Sequence, residues 1–226
     1  MRNLIERENE IFSILNKFSN KNLEFILVGG YAVSAYKHRF SVDADIVIKE
    51  KDVEIFEETL KSEGFQKQQS RELEDIYASK FIRYEKKEPL ISIDLMINAL
   101  ASRTTNASFS FDLILKNSEI KKIIGIEKEA KVKLPNKELL IAMKLHSGRL
   151  TDFRDIAALA KSTDIEKIKQ LIARGDTIPL KTNLINLSKT INDKKFIDSF
   201  KGVFIEKKFD IDTIQLEKIS KLSSTL

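Results

Sequence analysis

Hydrophobic and polar positions in the first part of the chain follow two different spacings. The stretch NLIERENEIFSILNKF (3–18) carries apolar side chains at Leu4, Ile5, Ile11, Phe12, Leu15 and Phe18. This spacing of three to four residues predicts an amphipathic helix. The run EFILV (24–28) is short, apolar and followed by two glycines, which predicts a buried strand. The stretch GYAVSAYKH (30–38) then predicts a helix that starts at the glycines.

A second strand and a second helix follow. The stretch SVDADIVI (41–48) alternates between polar and apolar residues over most of its length and is rich in β-branched residues, which predicts a strand. The stretch KDVEIFEETLKSEGF (51–65) predicts a helix with Asp52 as its cap and Gly64 as its stop. Two more strands and the turn between them are predicted at ASKFIRYE (78–85), EKKE (85–88) with Pro89, and PLISIDLMI (89–97).

Beyond residue 100 the pattern is mixed at first and then helical. Short strands are predicted at FSFDLIL (109–115), IKKIIGI (120–126) and AKVKL (130–134). Pro135 marks a boundary, and helices are predicted after it at NKELLIAMKLHSGR, TDFRDIAALAKS, DIEKIKQLIAR, LKTNLINLSKT and one last stretch. This order predicts an α+β fold, in which residues 1–134 form a mixed β-sheet with flanking helices and residues 135–226 form a helical C-terminal domain.

Composition narrows the chemistry that is available to the chain. It contains no cysteine, so disulfides, thiolate nucleophiles and cysteine-based zinc sites are excluded. It has two histidines, His38 and His146, which we expect to be surface or half-buried residues and not catalytic bases. Any metal ion should therefore be a hard cation bound by oxygen ligands. No apolar stretch reaches the length of a membrane span and no signal-peptide core is visible, so we expect a cytoplasmic protein without a membrane partner.

The net charge of +5 is distributed unevenly along the chain. Residues 131–226 hold 19 Lys and Arg against 12 Asp and Glu, a balance of +7, whereas residues 1–130 hold 20 against 22, a balance of −2. Two interpretations stay open. The basic half either has an ordinary lysine-rich solvated surface or forms a lobe that attracts a polyanion such as RNA or a triphosphate.

A pair of glycines and a pair of aspartates form the first candidate site. A strand that ends in Gly29 and Gly30 and opens a helix presents backbone N–H groups to a phosphate, although a plain tight turn has the same residues. Asp43 and Asp45 are two positions apart, so on a strand they share one face. Their carboxylates repel each other unless a cation lies between them, and Mg²⁺ bound together with substrate phosphates is the expected partner. The alternative is a solvated or salt-bridged strand face.

A third carboxylate, Asp94, interrupts the apolar strand ISIDLMI. It is either a buried aspartate paired with Lys or Arg, or a further metal ligand. Taken with Asp43, Asp45 and the glycine turn, it fits a site with two Mg²⁺ ions, or Mn²⁺ in their place, for phosphoryl-type transfer.

The stretches LVGGYAV, SVDADIVI and ISIDLMI together resemble the nucleotidyltransferase superfamily with the DNA polymerase β-type palm. Its pattern is an apolar strand, Gly-Gly or Gly-Ser, a gap of about a dozen residues, Asp-x-Asp, and a later strand aspartate. Gly30 and Asp43 are 13 positions apart, which fits this gap, and Arg39 matches the Arg-x-Ser/Thr-x-Asp-x-Asp form of the toxin-type branch. The sequence departs from many members in having Tyr31 where they have a phosphate-contacting serine. Ser34 on the following helix either replaces that serine or is a plain helix-surface residue.

A second stretch, KLHSGRLTDFRDIAAL (144–159), resembles the helical motif of the AbiEii-type nucleotidyltransferases. The motif positions are occupied by Lys144, Gly148, Arg149, Asp152 and Asp155. The two aspartates lie three apart on one helix face. They would orient the lysine or the arginine, or help at the metal site.

The resemblance implies that a nucleophile on an acceptor attacks the α-phosphorus of a nucleoside triphosphate and releases pyrophosphate. Gly29 and Gly30 would cradle phosphate, and Asp43, Asp45 and Asp94 would bind the metals. Lys144 would stabilise charge on the triphosphate.

Three interpretations of the substrate remain open. The AbiEii branch acts as the toxin half of toxin–antitoxin or phage-defence systems, and some members add nucleotides to tRNA, which implies a tRNA acceptor and a cognate antitoxin protein. An antibiotic-type small acceptor is the second, although a polycationic acceptor suits the basic half poorly. A non-catalytic regulatory nucleotide-binding module is the third.

Overall fold

The computed structural model describes residues 2–72, 80–200, 203–205 and 210–225. The chain forms two compact units, one made of Met1–Leu100 with Ser110–Pro135 and the other of Ala101–Phe109 with Asn136–Leu226. The first unit therefore ends at Pro135, and an excursion within it, Ala101–Phe109, belongs to the second.

Most of the described strands lie in the first unit, and two short strands cross between it and the excursion. In chain order, the elements up to Pro135 are α1 (Arg2–Asn20), β1 (Phe25–Val28), α2 (Gly29–Ser34), β2 (Asp43–Ile48), α3 (Val53–Ser62), β3 (Gln66–Glu72), β4 (Lys80–Lys87), β5 (Leu90–Ile97), β6 (Ala99–Ala101), β7 (Ser108–Ser110), α4 (Phe111–Lys116), β8 (Ser118–Ile124) and β9 (Glu129–Pro135). The last residue of β6 and the first two of β7 belong to the second unit.

A five-stranded sheet with the order β1-β2-β5-β4-β3 forms the centre of this unit. Strands β2 and β5 are parallel, and the other neighbouring pairs are antiparallel. The sheet is therefore mixed, and with its helices it confirms the predicted α+β fold. β6 pairs with β7, and β8 pairs with β9, in two smaller two-stranded sheets.

Aromatic side chains join α1 and α3 to the first strand of the sheet. Phe18 of α1, Phe25 of β1 and Phe56 of α3 meet edge to face, with ring centroids 4.8–6.3 Å apart. Phe18 and Phe56 are fully buried. Four of the six predicted apolar positions of α1 lie in the core, as helical spacing requires: Ile11, Phe12, Leu15 and Phe18. Leu4 and Ile5, at the start of the helix, are half-buried.

Several predicted elements of this unit differ from the structure. Phe111–Lys116 was predicted as part of a strand but is a helix, because Ser110 caps it by accepting a hydrogen bond from the Leu113 N–H, and Phe111 and Ile114 bury one face. A short apolar run does not distinguish strand from helix. The helix predicted at 30–38 ends at Ser34, and Asp52 precedes α3 without a side-chain capping bond.

The polar edge strand β3 was not predicted, because its sequence QKQQSRE has no apolar alternation. Residues 85–87 belong to strand β4, so the predicted charged turn is limited to Glu88 and Pro89. The first two residues of the predicted strand 78–85 lie outside the described residues. Gly64 follows α3 with φ +82°, which confirms the predicted helix stop.

The second unit is helical, as predicted. Its helices are α5 (Lys137–Ser147), α6 (Leu150–Leu159), α7 (Ile165–Ile172), α8 (Thr177–Ile191), α9 (Lys194–Phe200) and α10 (Thr213–Ser220). Asn136 caps α5 by accepting from the Leu139 N–H, and Asp164 caps α7 in the same manner. Such side chains satisfy backbone donors that a helix start leaves unpaired. Among the described residues, no helix has both the length and the apolar character needed to cross a membrane.

Replacing Phe18 by alanine tests the aromatic contact between α1, β1 and α3. The side chain is fully buried, so its removal leaves a cavity and should lower the free energy of unfolding by about 3–5 kcal/mol. Ile55→Ala on α3 is the control, because Ile55 is 42% exposed and its truncation should cost about 0.5 kcal/mol. Urea denaturation of both variants measures the difference, and equal losses would contradict the assignment of Phe18 to the core.

Candidate functional site

The glycine turn places backbone directly beside an acidic side chain. Strand β1 passes into α2 at Gly29, which has φ +66°. A Cβ atom at this position would lie 1.8 Å from the Asp45 Oδ2 atom and 2.8 Å from its Cγ. Glycine is therefore required at this position for two reasons. The backbone is left-handed, and the Asp45 carboxylate occupies the space that a Cβ atom would fill.

The next residues of the turn pack against the segment that leads into β2. A Cβ atom on Gly30 would lie 2.7 Å from the Ser41 Oγ and 3.4 Å from a guanidinium nitrogen of Arg39. The Ser41 hydroxyl donates to Asp43 Oδ1 at 3.0 Å, and the Tyr31 hydroxyl donates to the Ser41 carbonyl at 2.8 Å. The serine thus connects the turn to the acidic pair.

Ser34 and Arg39 occupy the same region of the first unit. Ser34 is buried and not on the helix surface, and its Oγ accepts a hydrogen bond from the Arg39 backbone N–H at 3.4 Å. A direct role for either residue in phosphate binding stays a prediction.

The three strand aspartates lie on adjacent strands. Asp43 and Asp45 share one face of β2 and are half-buried, while the residues that alternate with them are buried on the other face. The parallel register pairs Asp45 with Asp94 of β5, and the antiparallel register pairs Asp45 with Val28 at the end of β1. The sheet therefore brings the predicted carboxylates and the glycine turn into one region.

Arg83, which was not predicted as a site residue, binds the third carboxylate. It lies opposite Asp94 in the β4–β5 register. Its Nε donates to Asp94 Oδ1 at 2.8 Å and a terminal nitrogen donates to Oδ2 at 2.6 Å, a bidentate pair. Burial raises the pKa of Asp94 above its ordinary value, and Arg83 partly counteracts this. The hydrogen bonds to Asp94 in turn raise the pKa of Arg83 above its ordinary value.

The three strand aspartates of this region differ in how well they suit a hard cation. Asp43 and Asp45 offer carboxylate oxygens on one face, which is the ligand type that Mg²⁺ prefers. Both oxygens of Asp94 already accept from Arg83. Within the described ranges, no group of three or more histidine, aspartate or glutamate side chains is arranged to hold a metal ion. The acidic pair of β2 therefore fits a metal ion, and Asp94 fits one only by sharing its oxygens.

The motif residues of the second unit form a buried ion-pair cluster. The Lys144 Nζ lies 2.9 Å from Asp152 Oδ1 and 2.8 Å from Asp155 Oδ2. Lys144 is 8% exposed, and both carboxylates are completely buried. Burial alone would lower the pKa of Lys144, but Asp155 and Asp152 outweigh it and raise the pKa. The ammonium group is thus held protonated between two carboxylates.

Arg149 completes this cluster at the start of α6. Its backbone N–H and its Nε both donate to Asp152 Oδ2, at 3.1 and 2.8 Å. Burial would raise the pKa of Asp152, but Lys144 and Arg149 lower it to about 2. Asp152 thus contacts both Lys144 and Arg149, and its role in orienting them stays a prediction. The side chain of Arg149 is 70% exposed, so it also presents charge to solvent.

Each of the two histidines lies beside a buried polar side chain. His38 is half-buried, and its Nε2 lies 2.9 Å from the carboxylate of Glu8, which is fully buried. His146 is fully buried, so the prediction of a surface or half-buried position is wrong for this residue. Its Nδ1 lies 2.8 Å from the Thr105 hydroxyl, and burial lowers its pKa to about 4.

Sequence comparison finds one matching family model. Residues 13–210 match the family described as nucleotidyl transferase AbiEii toxin, type IV toxin–antitoxin system. No curated protein sequence matches the chain significantly.

Two solved structures of low sequence identity have a related fold, and a third is similar at a lower score. The solution structure of the antibiotic-resistance factor ANT(2'')-Ia has a TM-score of 0.53 and 16% identity, and the match covers 80% of this chain and 94% of that one. The crystal structure of ANT(2'')-Ia in complex with adenylyl-2''-tobramycin has a TM-score of 0.52 and 16% identity, with coverage of 73% and 94%. The lincomycin-bound lincosamide antibiotic adenylyltransferase LnuA has a TM-score of 0.47 and 19% identity, with coverage of 69% and 98%.

Replacing Gly29 by alanine tests the close approach of the turn to Asp45. Gly64→Ala is a matched control, because Gly64 also has positive φ but its nearest neighbour is the flexible Lys86 Cε at 3.8 Å. Both variants should lose about 1 kcal/mol of unfolding free energy from backbone strain. Gly29→Ala should lose at least about 1 kcal/mol more, because the clash displaces the Asp45 carboxylate. Equal losses of unfolding free energy in the two variants, measured by urea denaturation, would contradict the close approach of Gly29 to Asp45.

Replacing Asp152 by asparagine tests the buried cluster through its pH dependence. The pKa of about 2 in the folded protein lies below the ordinary 3.8, so Asp152 contributes stability that is present above about pH 4 and lost as pH falls towards 2. At pH 7 the variant should lose about 2 kcal/mol of unfolding free energy. The difference in unfolding free energy between the variant and the wild type should decrease as the pH falls below 4. Urea denaturation at each pH measures this difference.

Asp210→Asn is the control for this measurement. Asp210 pairs with Lys161 at the surface, where ion pairs contribute little to stability. A gap between Asp152→Asn and the wild type that stays constant down to pH 2.5 would exclude the proposed ionisation of Asp152.

Proposed function

The chain belongs to the AbiEii nucleotidyltransferase family, and from this premise we propose that it transfers a nucleoside monophosphate from a nucleoside triphosphate to an RNA acceptor and releases pyrophosphate. The observation that carries the proposal is the Asp43 and Asp45 pair, which shares one strand face beside a turn where only glycine fits. A phosphate-binding turn beside a metal-binding pair is what such a transfer requires.

In this proposal the unit of residues 1–100 and 110–135 is the catalytic palm. Gly29 and Gly30 would lie against the phosphates through their backbone N–H groups. Glycine is needed at both positions because a side chain there would collide with neighbouring side chains of the chain itself. Asp43 and Asp45 are the residues that would hold Mg²⁺. When bound, this ion neutralises charge on the triphosphate and lowers the pKa of an attacking hydroxyl.

Asp94 is the proposed carboxylate for a second Mg²⁺ ion. A carboxylate has about four lone-pair sites, and the Arg83 fork uses two of them. Asp94 therefore retains sites through which it would bind a cation, provided that it shares its oxygens with Arg83. Mn²⁺ accepts the same oxygen ligands and would replace Mg²⁺.

The cluster in the second unit is proposed to supply positive charge to the triphosphate. Lys144 has three N–H donors, and the two buried carboxylates account for two of them. Asp152 and Asp155 fix its position and keep it protonated, which suits a group that stabilises developing negative charge. Arg149 is largely exposed and is the proposed second contact to substrate.

The proposed acceptor is tRNA, and the proposed biological role is that of a toxin with a cognate antitoxin. The balance of +7 over residues 131–226 supports a polyanionic acceptor through long-range attraction. An antibiotic-type acceptor is the second candidate, because the fold is shared with the antibiotic-resistance factor ANT(2'')-Ia, which was solved in complex with adenylyl-2''-tobramycin. A polycationic acceptor would be repelled by the same positive balance, which favours RNA.

Incubation with each α-³²P-labelled nucleoside triphosphate, Mg²⁺ and total tRNA tests the proposal. The wild type should label RNA, and Asp43→Ala/Asp45→Ala should reduce the rate by at least about a hundredfold, because it removes the cation ligands. Asp112→Ala, at an exposed position of α4, should label RNA at the wild-type rate.

Two other outcomes would redirect the assignment. Labelling of an aminoglycoside in a parallel reaction, with none in RNA, would contradict the tRNA acceptor and support the small-molecule alternative. Absence of nucleotide binding in equilibrium dialysis would contradict nucleotidyl transfer by this chain and support the regulatory module.

A further inference from the structure

The end of helix α5 is bound by a side chain from a helix that lies outside the AbiEii motif. Asn183 lies on α8 and is 6% exposed. Its amide donates to the Leu145 carbonyl at 2.8 Å and to the His146 carbonyl at 3.4 Å. We propose that Asn183 is a positioning residue, which fixes the turn between α5 and α6 and, through that turn, the place of the Lys144 ammonium group.

The last carbonyls of α5 need donors from outside the helix, because a helix leaves its final carbonyls without intrahelical partners. The Ser102 hydroxyl, in the excursion, donates to the His146 carbonyl at 2.8 Å. The Thr104 hydroxyl donates to the Ser147 carbonyl at 3.2 Å. Asn183 adds the donor for the carbonyl that precedes these two. The end of α5 is therefore hydrogen-bonded to other elements over three consecutive residues.

Asn183 also fills the space beside the residue that ends α5. Gly148 has φ +69°, and its N–H donates to the Lys144 carbonyl at 2.9 Å. A Cβ atom at Gly148 would lie 2.3–2.4 Å from the Cγ, Nδ2 and Oδ1 atoms of Asn183. The amide group therefore packs directly against the backbone of the turn. The left-handed glycine and the packed amide together determine where the chain leaves α5.

The turn in its place determines how the two helices of the motif meet. Arg149 follows Gly148 and is the N-cap of α6, and Asp152 of the same helix lies 2.9 Å from the Lys144 Nζ. A shift of the turn would move Asp152 relative to Lys144, because the turn joins the helices that carry them. The consequence for catalysis rests on the proposed function, in which Lys144 stabilises charge on the triphosphate. Misplacing such a group by about 1 Å lowers a rate by about a hundredfold.

The chemistry of the amide suits this position, and two substitutions remove different parts of it. Aspartate has the shape of asparagine but no N–H donor when ionised, and its oxygens would face the carbonyl oxygens of α5. Asn183→Asp should therefore displace the turn. Asn183→Ala removes the donor without adding charge, and it leaves a buried carbonyl short of a partner.

Amide hydrogen exchange, measured by NMR on the protein without nucleotide, tests the effect on the turn. In both Asn183 variants the Gly148 N–H should exchange at least about tenfold faster than in the wild type, relative to amides in the middle of α5, because the turn opens locally. Leu184→Ala is the structural control. Its side chain is fully buried at the next position of α8 and carries no donor, so its loss should accelerate exchange at all these amides alike.

Steady-state kinetics of nucleotide transfer test the effect on Lys144. Asn183→Ala should lower kcat at least about tenfold and change the KM for the nucleoside triphosphate less than about threefold, because the ammonium group acts on charge that develops in the transition state. Leu184→Ala should keep kcat within about twofold at temperatures where it is folded. Asn186→Asp adds a charge at an exposed position of the same helix and should match the wild type.

Equal acceleration of exchange at Gly148 and in the middle of α5 in the Asn183 variants would overturn the proposal. A fall in kcat in Leu184→Ala as large as that in Asn183→Ala would also overturn it. If Asn183→Asp does not fold, Asn183→Ala carries both measurements.

The exchange experiment separates this proposal from the proposed function. Faster local exchange at Gly148 in a protein that transfers no nucleotide would retain the role of Asn183 at the turn and reject the proposed reaction. Transfer by the wild type with an unchanged kcat in Asn183→Ala would retain the reaction and reject the positioning of Lys144 by Asn183.

Discussion

A carboxylate that leaves water must find a cation or hydrogen-bond donors, and this requirement organises both units of the protein. In the first unit, Asp94 is almost fully buried and is bound by Arg83 through two hydrogen bonds. In the second, Asp152 and Asp155 are completely buried and enclose Lys144. Each carboxylate depends on a partner from the adjacent strand or helix, so the ion pairs also hold neighbouring elements in register.

The half-buried pair of Asp43 and Asp45 is the contrasting case. Glycine at position 29 lets the backbone of the turn reach the Asp45 carboxylate, which any side chain would prevent. Asp43 receives a neutral hydroxyl from Ser41. The two half-buried aspartates thus lie on one strand face beside a turn that only glycine allows, and the proposed binding site rests on this arrangement.

Sequence patterns predicted the parts of this arrangement that depend on local spacing. The alternation in SVDADIVI placed two aspartates on one face, and the helical spacing after Pro135 predicted the second unit's helices. Arg83 was missed because its importance arises from the β4–β5 register, and a single sequence does not reveal which residues of two strands are opposite each other. Helix α4 was predicted as strand for a related reason, since a short apolar run fits both structures until its cap is seen.

The charge of the second unit's motif bears on how an acceptor would be chosen. Lys144 and Arg149 carry two positive charges, and Asp152 and Asp155 carry two negative ones, so the cluster is balanced. The balance of +7 over residues 131–226 therefore comes from residues outside the motif. Under the proposed function, attraction of a polyanion would come from the other lysines and arginines of residues 131–226, while the motif itself would supply one oriented ammonium group. It follows that members with the same motif and a different surface charge would share the transfer chemistry but select different acceptors.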